Sequence, residues 1–158
     1  MKKTWLRFSP LIVMPMILGI HMFLSVGDYA VPLGVGLIED ERMVERYDRR
    51  GNVVDEFPIQ GITSKEEVEI LILESNFKKT FAASVLLFLT LVYSIVVGWL
   101  SRVWKVSLEG LIKIPDKWKP VMVGAAISLY AFAAFRVGTQ YVELVHESET
   151  LLLHNFVP

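Results

Sequence analysis

Apolar positions in this chain gather into three runs, 8–26, 80–100 and 120–135, each free of Lys, Arg, Asp and Glu. At about 1.5 Å per helical residue, each run crosses most or all of a hydrocarbon core roughly 30 Å thick. The runs are apolar on every side, whereas a helix resting on a soluble core needs only one apolar face. The pattern therefore predicts an all-α membrane protein with three transmembrane helices. The basic start, apolar stretch and small residues Ser25 and Gly27 also fit a secretory signal peptide. Pro10, Pro15 and His21 interrupt that stretch, and it is read as a retained anchor.

The spans differ in detail. Pro10 and Pro15 remove backbone donors from the first and disfavour a straight helix, and Gly19 admits a close neighbour. The second is a plain anchor. The third starts at Pro120, a favoured first-turn residue, and carries Gly124, Ser128, Ala131, Ala134 and Gly138 at steps of four, three, three and four. In lipid such a stripe of small residues lets two helix backbones approach closely, so it is the predicted helix-packing face.

Polar patterning divides the remainder. Residues 47–54 read as a β-hairpin: Asp48 opens the turn, Gly51 supplies a positive φ, and β-formers flank both. Gly34-Val35-Gly36 after Pro32 reads as a flexible lead-in to the whole segment 27–79. Ser64 and Glu67 form a capping box ahead of 68–77, which predicts a helix that can run directly into the second span. The segment between helices 1 and 2 is thus a small α/β unit, hairpin plus helix, too small to bury much core alone. In the tail, Tyr141, Leu144 and Val145 share a face, and Leu151–Leu153 with Phe156 make an apolar end. Both pieces call for a covering partner or the headgroup boundary. Between spans two and three, 103–113 mixes apolar and cationic residues at helical spacing and can lie along a membrane surface.

Charge sets the expected topology. Lys2, Lys3, Arg7, Arg102, Lys105, Lys113, Lys117 and Lys119 place eight cations in 26 residues on one side; the other side spreads eight over the 53 residues 27–79 and the tail. Because cytoplasmic flanks are enriched in Lys and Arg, the amino terminus is predicted inside a bacterial-type inner membrane and the carboxyl terminus outside. Lys78 and Lys79 run against that assignment. Trp5, Trp99, Trp104 and Trp118 all fall on the inner side, where indoles anchor at headgroup level. The predicted organisation is a cytoplasmic start with helix 1 (1–26), an extracytoplasmic segment (27–79), helix 2 (80–100), a basic cytoplasmic link (101–119), helix 3 (120–137) and an extracytoplasmic tail (138–158).

Composition narrows the chemistry. The absence of cysteine removes disulfides, thiolate metal sites and thiol catalysis, and a net charge of −1 provides no basic field for nucleic acid. Met14, His21 and Asp28 recur every seven residues near one helix face, with Met16 and Met22 nearby; thioether and imidazole ligands suit copper. Against this, methionine is ordinary filler in an apolar helix. His146 and His154, eight apart, lack the spacing of a helical metal pair, and no second intramembrane histidine completes a haem site. Arg136 can pair with Asp28 or Glu143, or extend to water. No phosphate loop, nucleophile elbow, zinc-protease helix or paired-carboxylate motif is present. The expectation is a non-enzymatic accessory subunit without a predicted cofactor, surrounded by membrane lipid and packed hetero-oligomerically on other integral membrane subunits. A copper-handling or redox-enzyme component and an envelope sensor are the alternatives.

Overall fold

A computed structural model describes residues 2–38, 42–59, 64–104 and 115–156 of the chain. Most of the expected amphipathic link (103–113) and the residues immediately before Ser64 lie outside them. Three helices are long and apolar enough to cross a membrane, and a small three-stranded antiparallel sheet sits at one end.

Helix α1, Lys2–Val26, passes through both Pro10 and Pro15. A proline at position 10 cannot donate to the Leu6 carbonyl, and the Ser9 hydroxyl donates to that carbonyl instead, at 3.0 Å. With its proton so used, Ser9 Oγ accepts from the Tyr93 hydroxyl at 2.9 Å, which ties α1 to the second long helix. The face of α1 that includes Leu6, Ser9, Val13, Ile17 and His21 is wholly or partly covered, while Phe8, Leu11, Met16 and Phe23 point outward.

Strands β1 (Val35–Ile38), β2 (Met43–Tyr47) and β3 (Val53–Pro58) follow in meander order. The predicted β2–β3 hairpin forms, with Gly51 at φ +81°. The Asp48 carboxylate accepts from the backbone N–H of Asn52 (2.9 Å), from the Asn52 side-chain amide (3.1 Å) and from the backbone N–H of Arg50 (2.6 Å), and these bonds, those from Asn52 foremost, hold its carboxyl below the usual range. The lead-in reading of 34–36 is corrected: Val35 and Gly36 belong to β1 and pair with Arg46 and Glu45. Gly36 is required there by close approach, because a Cβ would lie 2.4 Å from the Tyr47 hydroxyl oxygen.

Helix α2, Ser64–Val103, runs unbroken from the head into the second apolar run, as the capping box and the run together predict. After a 3₁₀ turn at Asp116–Trp118, α3 (Lys119–Phe156) continues equally without a break through the third run and the tail. Both α1 and α3 pack on α2. The core lies in the head, where Val35 and Val44 of the sheet meet Ile70, Leu73 and Phe77 of α2 and Leu144 and Leu152 of α3. Phe77 and Tyr141 stack edge-on at 5.8 Å, and the Tyr141 hydroxyl donates to the Pro32 carbonyl. The tail and the α/β segment, each expected to need covering, cover one another.

Candidate functional site

Two features of the chain are built for contact and not for core. The first is the outward side of α3. From Tyr130 onward, its covered positions include Tyr130, Ala133, Val137, Tyr141, Leu144, Ser148 and Leu152, at steps of three and four. Tyr130 anchors this seam by donating to the Leu87 carbonyl at 2.8 Å. Gly124, Ser128, Ala131, Ala134 and Gly138 are all exposed. From Ala131 to Gly138 the stripe is rotated about 100° from that seam, as one residue of offset requires. A Cβ placed on Gly124 or Gly138 would meet nothing within 4 Å. The small-residue face is therefore unused by α1 and α2. Residues 120–129 are exposed all round, and none of the most apolar 18-residue window of α3 is buried.

The second feature is a polar node where the sheet meets α2. Lys78 Nζ lies 2.7 Å from Glu74 Oε1, one helical turn away, with the two side chains only 13% and 17% exposed. Glu74 Oε2 accepts the Leu37 N–H at 3.0 Å, so a helix-borne carboxylate satisfies an edge strand. Asp28, fully exposed, stands 3.8 Å from Lys78. Asp28, Tyr29, Gly36, Tyr47 and Glu74 help line a cleft of about 430 Å³. The Tyr47 hydroxyl donates to Glu45 at 2.9 Å; burial, then that acceptor and its charge, push its pKa well above the ordinary tyrosine range. The node offers a closed ion pair and a protonated phenol, an arrangement suited to holding the sheet on α2. From the sequence Lys78 enters only through the topology argument and Glu74 not at all, although the four-residue spacing of the pair beside a predicted helix carries the signal.

The copper candidates are spread along α1 and just past its end. Met14 and His21 lie on α1, with Met14 37% exposed; Asp28 lies beyond the helix end and faces Lys78. Met16 and Met22 point outward. His21 Nδ1 is covered and has no hydrogen-bond partner. No group of three or more His, Cys, Asp or Glu able to hold a metal ion occurs among the described residues. Asp28 is taken by Lys78, so the expected Arg136–Asp28 tie gives way to a link from the end of α1 to α2. Arg136 itself is exposed. No family model, no curated protein and no solved structure matches this chain.

Proposed function

We propose that this chain is a small accessory subunit of a larger integral membrane complex, held to its partner subunit by the small-residue side of α3. One observation carries the proposal: the stripe from Gly124 to Gly138 faces away from the chain's own helices, with open space where a Cβ would stand at both glycines. In lipid, close backbone approach along such a stripe gives dispersion contact that bulkier faces cannot reach. The head contributes a self-covered domain at one end, and its paired Glu74 and Lys78 supply no free nucleophile or base. The role is structural, in a bacterial-type inner membrane with the amino terminus cytoplasmic and the head outside, the orientation favoured by the cation-dense short flanks.

Gly124→Leu with Ala131→Leu tests the partner contact. The double variant is expected to migrate at lower assembled mass after mild solubilisation while its head keeps wild-type thermal stability, since neither position touches the head. An unchanged assembled mass removes the proposal's support. Orientation is checked separately in this cysteine-free chain by introducing Glu149→Cys or Lys117→Cys in turn; an impermeant maleimide added outside intact cells should label only the first.

A further inference from the structure

The strand register sorts the charges of the sheet onto two unlike faces. Arg46 of β2 lies opposite Asp55 of β3, and the two side chains pair at 3.8 Å. In the adjacent row Gly36, Glu45 and Glu56 stand side by side across the three strands and, by alternation, share the other face. Glu45 therefore faces Glu56, a like-charge cross-strand pair that costs the sheet stability. Neither carboxylate has an ion-pair partner among the described residues; Glu45 only accepts from the Tyr47 hydroxyl. The nearby cations are engaged elsewhere, Arg46 with Asp55 on the other face and Lys78 with Glu74 and Asp28.

The next row on this face, Ile38, Met43 and Pro58, is apolar. No residue of either row belongs to the core of the head, and Glu56 and Pro58 are exposed. At the β1 edge the face runs into the cleft of about 430 Å³, where Gly36, Ile38 and Tyr47 meet Asp28 and, from α2, Glu74 and the 40% exposed Leu71. Among the described residues two carboxylates and no cation line that cleft. Its donors are used up, the Leu37 N–H by Glu74 and the Tyr47 proton by Glu45. Strand addition along β1 is thus blocked at Leu37, and recognition of an incoming segment falls to its side chains.

We propose that this open sheet face docks an extended cationic segment of a partner protein, with an Arg or Lys set against Glu45 and Glu56 and an apolar side chain two residues away over Ile38 and Met43. Charge complementarity identifies the occupant: two carboxylates held side by side are relieved by a cation placed between them, and a guanidinium fork can bond to both. Spacing identifies its form. Side chains two residues apart on an extended segment stand about 7 Å apart on one side, which is the separation of the acidic and apolar rows. The docking goes beyond the α3 contact proposed above and uses none of its residues.

The test uses the full chain in dodecyl maltoside and a fluorescein-labelled peptide, Arg-Ser-Leu-Ser-Arg, read by anisotropy at low salt. Saturable binding is expected, and Glu45→Gln with Glu56→Gln should weaken it about fivefold or more, two exposed ion pairs being worth about that factor. Glu56→Gln alone, at an exposed position, should weaken it about twofold. Because the like-charge pair is removed, the head should be at least as stable as before, which amide exchange across β1–β3 checks. Glu147→Gln with Glu149→Gln, an equal charge change on α3, should leave binding unaltered, and the peptide Glu-Ser-Leu-Ser-Glu should not bind. No saturable binding to the unaltered chain overturns the docking face, as does equal weakening by the α3 pair. Spermine that displaces the labelled peptide at an equal or lower concentration overturns it too, by making the ligand a free amine.

Discussion

Phe77 is fully buried, whereas Phe132 and Phe135 are 64% and 68% exposed. The two regions they represent use the same apolar chemistry and solve it differently. In the head, two strands and two helix ends enclose their apolar residues among themselves, with the polar groups at the edge paired. Along 120–129 of α3 every side is open. Water tolerates the first arrangement and penalises the second. The head is folded by its own contacts; the far part of α3 is left uncovered by the described residues of the chain.

Phe77→Ala is the strongest way to break that contrast. It removes the ring that touches Tyr141 and fills the space between sheet and helices, at a cost of about 3–5 kcal/mol. Hydrogen exchange should then accelerate throughout β1–β3 while the amides of 84–100 keep their protection. Equal acceleration in both regions would mean that head and spans unfold as one unit. Glu74→Gln comes next, because it leaves Lys78 largely buried without its carboxylate and weakens the bond to Leu37. The expected loss is about 1–3 kcal/mol in chemical denaturation of the head.

Gly36→Ala sharpens the same boundary from the strand side. Its Cβ would meet the Tyr47 oxygen at 2.4 Å, so the phenol must shift and surrender its bond to Glu45, costing about 1–3 kcal/mol. Adding Tyr47→Phe should recover part of that loss. The ring carbons at 3.1 Å still crowd the site, so recovery should be incomplete. A double variant no more stable than Gly36→Ala alone would place the strain elsewhere.

Legibility in the sequence follows the range of the interactions. The three long helices announce themselves by local composition, and the β2–β3 hairpin by Asp48 and Gly51, because run length and turn chemistry act within a few residues. The continuity of α2 is equally local, with Ser64, Glu67 and the second apolar run all reading as helix. β1 is hidden, since four residues containing a glycine carry little strand propensity and Gly36 is explained only by Tyr47, eleven positions on. The mutual covering of tail and sheet is hidden for the same reason: Leu144 and Leu152 read as exposed apolar residues until α3 is laid beside α2. Arg136 and Asp28 look like partners in sequence, but Lys78 stands closer to Asp28 and takes the role. The stripe at Gly124–Gly138 is visible as a pattern, yet whether it points inward or outward depends on which face of α3 the head recruits.

The smallest effect tests the polar tie between α1 and α2 within the apolar runs. Pro10 frees the Leu6 carbonyl, Ser9 satisfies it, and Tyr93 in turn donates to Ser9, so the proline and the interhelical bond form one unit. Hydrogen bonds between membrane helices are worth about 0.6 kcal/mol on average, because an unfolded chain in lipid also finds partners. Ser9→Ala, Tyr93→Phe and the double change should therefore show a coupling of about that size in a double-mutant cycle. Pro10→Ala should reduce it, since the backbone N–H restored at position 10 can bond to Leu6 and release the Ser9 proton to compete for Tyr93. Both hydroxyls would then have a choice of donor role, and the directed chain from Tyr93 to Leu6 would be lost. A coupling unchanged by Pro10→Ala would show that the bond stands without the proline and that the two features share only a place on α1.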